Sequence, residues 1–196
     1  MIFERLSLLA VILLAVTSLF ILLSQNWRWS IAALALQYLA VFVLAGLVWP
    51  FGLAAVKLVA GWMAGAVLVS AQPSADLAGD SQSGGARFLF RFLIAVLVWV
   101  LVFSLAPAIV SWIPLPFTLV VGALLLAGMG LIHLGVTTRP MRVLVALLTT
   151  LSGFELFYAA IETSVLVAGL LAVVTLGLAL VGAFLLDRFS PEEGAA

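Results

Sequence analysis

Residues 139–187 read RPMRVLVALLTTLSGFELFYAAIETSVLVAGLLAVVTLGLALVGAFLLD, two long apolar runs joined by a short turn, with one carboxylate, Glu155, deep in the first run. About 20 apolar residues span the hydrocarbon of a bilayer as a helix. An acid at the centre of a bilayer costs at least about 3 kcal/mol, so it is by default a functional hypothesis. The stretch therefore predicts two membrane helices and one candidate functional residue, Glu155.

The composition of the whole chain indicates a membrane protein. Of its 196 residues, 66% are hydrophobic and only 8% are charged, and the mean hydropathy is +1.39. A soluble domain carries roughly 25% charged residues. In lipid only helices and closed barrels satisfy the backbone. Because the apolar runs are continuous rather than alternating, the fold class predicted is an all-α integral membrane protein.

Seven apolar runs predict about seven transmembrane helices. The first run is too long for the core of a signal peptide, and no small-residue cleavage pattern follows it, so it is interpreted as a retained helix. The predicted helices, one to seven, cover residues 6–23, 30–49, 51–70, 88–110, 117–136, 141–162 and 164–186.

A polar segment divides the chain. Residues 72–87 are rich in glycine and serine, which is typical of a flexible loop. The sequence thus predicts an N-terminal three-helix part (1–71), this loop (72–87), a linking helix (88–116) and a C-terminal three-helix part with a polar tail (117–196).

The arginines predict the orientation in the membrane. With seven helices, one side of the membrane collects six of them, and Arg5 alone falls on the other side. The six are Arg28, Arg87, Arg91, Arg139, Arg142 and Arg188. The positive-inside rule then places the N-terminus outside and the loop 72–87 and the C-terminus in the cytoplasm. The expected location is the cell membrane, in particular a prokaryotic inner membrane.

The acids of predicted helix six suggest a proton path. Glu155 and Glu162 are seven residues apart, so a continuous helix stacks them on one face, roughly 10 Å apart, with Ser152 and Tyr158 flanking the stripe. Glu155 is expected near or slightly beyond the middle of the membrane. A carboxyl group that changes protonation state there suits a proton relay. The alternatives are a protonated Glu155 that hydrogen-bonds across a helix interface, and a solvated helix terminus for Glu162.

Three further polar residues are candidates for the interior. Lys57, two turns into helix three, either snorkels outward or is an intramembrane partner. His133, one turn from the cytoplasmic end of helix five, is either interfacial or a point of proton entry. Gln37 is expected to hydrogen-bond between helices. The predicted proton path comprises Glu155, Glu162, Lys57 and His133.

Other kinds of site are excluded or unsupported. The absence of cysteine excludes disulfides and thiolate-bound metals or iron–sulfur clusters, and one histidine provides no paired-histidine haem site. A net charge of zero provides no basic patch for nucleic acid. No histidine lies at the depth of Ser152 to activate it as a nucleophile. We therefore expect no catalytic centre, no cofactor and no metal in this chain.

Short motifs resemble a known family. Predicted helices five to seven resemble the three-helix K-subunit of complex I (NADH:quinone oxidoreductase) and its relatives in cation antiporters and membrane-bound hydrogenases. The matching pieces are Gly130-Leu131-Ile132, Gly153-Phe154-Glu155-Leu156 and Gly177-Leu178-Ala179. The longer chain is similar to component E of hydrogenase-4-type complexes, in which Ala35-Leu36-Gln37 and Lys57 also find counterparts.

The resemblance implies a function. The chain would be a non-redox membrane subunit of an ion-translocating oxidoreductase, with Glu155 in the proton path and antiporter-like subunits as partners. In the K-subunit pattern a second glutamate falls at about Val173 of this chain, and this departure favours the hydrogenase branch. Two other hypotheses stay open. One is a stand-alone small secondary transporter that uses Glu155 and Lys57 at its substrate site, and the other is a structural or assembly subunit without charge movement.

Overall fold

The computed structural model describes residues 2–24, 26–71 and 85–188 of the chain. These residues form seven α-helices without any strand: α1 (Ile2–Leu23), α2 (Trp27–Ala45), α3 (Phe51–Ser70), α4 (Gly85–Trp112), α5 (Phe117–Val136), α6 (Pro140–Ala159) and α7 (Val165–Arg188). All seven are long and apolar enough to cross a membrane. The predicted fold class is confirmed in this respect, and the chain has the character of a multi-pass membrane protein.

Several helix boundaries differ from the prediction. Helix α2 begins at Trp27, three residues early, because the side chain of Asn26 accepts a hydrogen bond from the backbone N–H of Arg28 and caps the helix. It ends at Ala45, four residues before the predicted end at Trp49, and Gly46 is its C-cap. Helix α4 begins at Gly85, so the last residues of the predicted loop 72–87 are helical. The rest of that loop, 72–84, lies outside the described residues.

The helices of the two predicted parts pack against each other. Helix α1 packs against α2 and α5, α4 packs on α5, and α5 and α6 form the most extensive pair. Helix α2 contacts both α3 and α6, and α7 also contacts both α3 and α6. We call α2, α3, α6 and α7 the four-helix group. In this group α3 and α6 face each other across a diagonal.

Glycines let the backbones approach closely. A Cβ atom at Gly153 of α6 would lie 2.5 Å from the backbone nitrogen of Ala127 on α5. On α3, a Cβ at Gly61 would overlap the ring of Tyr38, and one at Gly65 would lie 3.7 Å from Ile31. Tyr38 and Ile31 both belong to α2. The pair of small residues Gly61 and Gly65 therefore lies where α2 packs closely against α3.

The interior divides into an apolar and a partly polar region. The core among α1, α2, α4 and α5 is built of aliphatic side chains such as Leu14, Leu44 and Leu126. The core of the four-helix group combines aliphatic residues with buried polar ones. The buried polar residues of this group include Gln37, Lys57, Thr149, Ser152, Glu155 and Thr175.

The two ends of the bundle differ in chemistry. At one end Arg91 of α4 donates to the backbone oxygen of Leu22, and Arg142 of α6 donates to that of Ser24, so arginines bind carbonyls in and just after the last turn of α1. We call this the arginine end. At the opposite end the indole Nε1 of Trp49 donates to the backbone oxygen of Glu162, and we call this the tryptophan end.

The contact between α5 and α6 generates a prediction. Replacing Gly153 by alanine forces a methyl group against the α5 backbone, so we expect the free energy of unfolding to fall by about 1–3 kcal/mol. Unfolding by sodium dodecyl sulfate in mixed micelles, followed by circular dichroism, measures the change. The control is Gly169→Ala on α7, where a Cβ meets no atom within 4 Å. Equal stability of the two variants would contradict the close packing.

Candidate functional site

The candidate site is an ion pair inside the four-helix group. The ammonium of Lys57 on α3 forms a salt bridge with the carboxylate of Glu155 on α6. Lys57 is 5% exposed and Glu155 is 2% exposed. We call these two residues the charge pair. The interpretation of Lys57 as an outward snorkelling residue is wrong, because Lys57 shares a buried helix face with Ala54 and Gly61 and its stem points into the bundle.

Helix α7 supplies a third member of the site. The hydroxyl of Thr175 donates to Oε1 of Glu155 at 3.1 Å and also lies 3.0 Å from the backbone oxygen of Leu171. Thr175 is fully buried. Sequence reasoning missed it, although it is the one hydroxyl-bearing residue in residues 165–186. Val173, where the K-subunit pattern carries its second glutamate, is 65% exposed and points out of the bundle.

Helix α2 borders the charge pair through an aromatic ring. The ammonium nitrogen of Lys57 lies 5.8 Å from the centroid of the Tyr38 ring, within the range of a cation–π contact. Tyr38 reaches this place because Gly61, one turn along α3 from Lys57, leaves room for the ring. Each helix of the four-helix group thus contributes one residue to the site.

Polar side chains continue from the charge pair towards the arginine end. Ser152 and Thr149 lie one and two turns before Glu155 on α6, and their hydroxyls donate to backbone oxygens of the same helix. Gln37 of α2 donates from Nε2 to Oγ1 of Thr149 at 3.3 Å. The prediction that Gln37 hydrogen-bonds between helices is confirmed. Its Oε1 atom is buried and meets no hydrogen-bond donor among the described residues.

The charge pair has two protonation states with the same net charge. As an ion pair, carboxylate and ammonium compensate each other in a region where an isolated charge is costly. A proton transferred from Nζ of Lys57 to Glu155 leaves a neutral amine beside a neutral acid. The net charge of the pair is zero in both states. The arrangement is therefore suited to taking up a proton on one residue and giving one up from the other.

Glu162 lies outside the site. Because α6 ends at Ala159 in a tightened final turn, the predicted stacking of Glu155 and Glu162 on one helix face is wrong. The carboxylate of Glu162 accepts a hydrogen bond at 3.1 Å from the backbone N–H of Ser164, just before α7. This position at the start of α7 agrees with the alternative interpretation of Glu162 as a residue of a helix terminus.

His133 also lies apart from the charge pair. Gly153 of α6 packs against Ala127 of the antiparallel α5, so Glu155 is level with about residue 125 of α5. His133 is then roughly 12 Å away along the helix axis, at about 1.5 Å per residue. It lies at the arginine end, near Arg91 and Arg142, and its side chain is buried at 4% exposure.

Tyr158 does not face the charge pair. Its ring stacks on that of Phe154 at a centroid distance of 6.1 Å. Both rings line an outward-facing apolar cavity of about 440 Å³ between α5 and α6. Ser152 and Tyr158 were both predicted to flank Glu155. Ser152 lies on the same buried side of α6 as Glu155, and Tyr158 does not.

Within the described residues, His, Asp and Glu side chains form no group of three or more that could hold a metal ion. Comparison of the chain with protein-family models, with curated proteins and with solved structures found no match. The resemblance to the K-subunit family therefore stays a prediction, and arguments about function start from the charge pair.

A double-mutant cycle tests the charge pair. Lys57→Met and Glu155→Gln each leave one buried group without its partner, and each should lower the free energy of unfolding by about 3–5 kcal/mol. The double variant should lose clearly less than the sum of the two, with a coupling energy in the range of about 0.5–3 kcal/mol. Detergent unfolding measures all four proteins. Strictly additive losses would show that the two residues do not interact.

The hydroxyl of Thr175 is tested by a nearly isosteric change. Thr175→Val removes the hydrogen bond to Glu155, and we expect a loss of about 0.6–2 kcal/mol in the free energy of unfolding. Thr17→Val is the matched control, since among the described residues the buried hydroxyl of Thr17 bonds only backbone oxygens of its own helix. A smaller loss for Thr175→Val than for Thr17→Val would argue against the contact.

Proposed function

We propose that this chain is a membrane-embedded subunit of a complex-I-like, ion-translocating oxidoreductase, such as a group-four hydrogenase or a related enzyme. In this proposal the charge pair forms part of the proton path through the membrane. The observation that carries the proposal is the salt bridge between Lys57 and Glu155, buried among four apolar helices.

A contribution to folding stability does not by itself explain why an ion pair is buried at this place. Removing two charges from water is costly, and well-packed apolar side chains of similar volume are often as stabilising or more so. Ionisable residues inside a membrane typically mark ion pathways and proton relays. The charge pair therefore favours proton transfer over a scaffold role.

A proton-transfer cycle at the charge pair balances in charge. Nζ of Lys57 gives its proton to Oε2 of Glu155, and the ion pair becomes a neutral amine and a neutral acid. The amine then binds a proton arriving from one direction while the acid releases its proton in the other. The result is one proton moved and the ion pair restored. The hydroxyl of Thr175, on Oε1, holds the carboxyl group in position throughout.

The sequence resemblance supplies the setting for this chemistry. The resemblance implies that electron transfer takes place in partner subunits and that antiporter-like subunits continue the proton path. The large apolar side chains exposed along α4 and α7 fit contact with lipid or with such membrane subunits. The proposed orientation places the arginine end in the cytoplasm and the N-terminus outside, in a prokaryotic inner membrane, since basic residues concentrate on the cytoplasmic side.

A stand-alone small secondary transporter is the second candidate. One observation favours it: the two residues that this hypothesis assigns to the substrate site, Lys57 and Glu155, are in contact. Transporter sites typically lie between helices within the membrane. The two candidates differ in whether the purified chain transports protons or a substrate without partner subunits.

The proposed role of Glu155 predicts a loss of coupling. In the assembled complex, Glu155→Gln removes the proton acceptor. We expect the ratio of ions translocated to electrons transferred to fall about a hundredfold or more, since a proton-transfer group contributes roughly 10²–10⁴-fold. Proton uptake into sealed vesicles, measured together with electron transfer, gives the ratio. The control is Glu162→Gln, outside the site, which should leave the ratio unchanged. An unchanged ratio in correctly assembled Glu155→Gln complex would refute the proposed role.

Reconstitution of the purified chain separates the two candidates. A subunit should copurify with other membrane proteins in mild detergent and should move no protons when it is placed alone in liposomes. Substrate-dependent proton movement by the isolated chain, abolished by Lys57→Met, would contradict the subunit and establish the transporter.

A further inference from the structure

The charge pair lies much closer to the tryptophan end of the bundle than to the arginine end. Glu155 is four residues from the last residue of α6, roughly 6 Å at about 1.5 Å per residue, whereas the start of α6 is roughly 22 Å away. Lys57 is six residues from the start of α3, roughly 9 Å by the same measure. A proton that leaves the pair has its shortest route towards the tryptophan end.

A thin apolar layer closes this short route. Trp49, Ala159 and Ala168 form a small buried cluster, and Leu53 packs against it. Ala159 lies one turn beyond Glu155 on α6, and Leu53 lies one turn before Lys57 on α3, so both share a helix face with the charge pair. We call these four residues the Trp49 lid.

The route to the arginine end is closed by a thicker layer. The aliphatic core of the four-helix group extends over several turns on that side. Its buried members there include Ile31, Leu34, Leu68, Met141, Leu144, Val145, Leu148 and Leu186. To open a route to the arginine end, many side chains on four helices must separate. To open a route to the tryptophan end, only the residues of the Trp49 lid must move.

The Trp49 lid is held by one hydrogen bond between two interhelical connections. Trp49 belongs to the connection between α2 and α3, and Glu162 belongs to the connection between α6 and α7. The Nε1 atom of Trp49 donates to the backbone oxygen of Glu162 at 3.0 Å. Because both residues lie outside the helices, this bond can break without unwinding any transmembrane segment.

We propose that the Trp49 lid is the gate through which the charge pair exchanges protons with the tryptophan end, and that the bond from Trp49 to Glu162 is its latch. The inference rests on the proposed function, since it assumes that the charge pair exchanges protons. It adds the direction of access, a gating residue, and a role for Glu162 through its backbone rather than its carboxylate.

The gate can be tested by thiol accessibility, because the chain has no cysteine of its own. A single cysteine replaces Ala159, which is 1% exposed in the closed lid. Full-length protein in sealed membrane vesicles is treated with a membrane-impermeant methanethiosulfonate, added to one side or to the other. We expect slow modification, and only from the side of the tryptophan end. A second reporter, Leu53→Cys, covers the case in which Ala159→Cys does not fold.

The latch is tested by a matched pair of tryptophan substitutions. Trp49→Phe removes the indole N–H but keeps an aromatic ring, and it should raise the rate of thiol modification about fivefold or more, the factor expected for the loss of one hydrogen bond. Trp62→Phe is the control. The Nε1 atom of Trp62 also donates to a backbone oxygen, that of Ala35 at 3.1 Å, but Trp62 is 51% exposed on the outside of the bundle.

Proton coupling provides the second measurement. In the assembled complex, Trp49→Phe should lower the ratio of protons translocated to electrons transferred, because an unlatched lid lets protons return, whereas Trp62→Phe should not. Equal modification rates in the two backgrounds, or modification only from the arginine end, would overturn the gate. Faster modification of the Trp49→Phe protein with an unchanged ratio of protons to electrons would also overturn the gate. The role of Glu155 is tested separately, by the Glu155→Gln variant.

Discussion

The salt bridge between Lys57 and Glu155 constrains the arrangement of the four-helix group. Both charges are buried and form a salt bridge with each other, so α3 and α6 must keep these two residues within reach of each other. Helices α2 and α7 complete the enclosure with the ring of Tyr38 and the hydroxyl of Thr175. The need to keep the salt bridge buried and paired thus determines both the packing of the four helices and the chemistry of the site.

Glycine makes this arrangement possible at two contacts. Gly61 admits the Tyr38 ring beside Lys57, and Gly153 brings α6 against the backbone of α5 two residues before Glu155. In lipid, close packing of small residues replaces the hydrophobic driving force that water provides for soluble proteins. Gly61 and Gly153, which carry no functional group, therefore help to position the charge pair.

The surroundings of the charge pair differ on its two sides. Polar groups at Ser152, Thr149 and Gln37 extend from the charge pair on one side, followed by a thick aliphatic core. On the other side a thin layer around Trp49 separates the pair from the end of the bundle. In the proposed function such asymmetry has a use, because a proton pump must keep its site from being open to both sides of the membrane at once.

Composition and apolar run length determined the all-α class and the seven helices, and they singled out Glu155 as a candidate, since these follow from the cost of placing polar groups in lipid. The bounds of α2 and α6 escaped prediction because a side-chain cap at Asn26 and a tightened turn after Ala159 decided them locally. Only the tertiary structure paired Lys57 with Glu155, brought in Thr175 and separated Glu162 and His133 from them. Periodicity shows which residues share a face of one helix, but which face meets which neighbour depends on packing among helices distant in the chain.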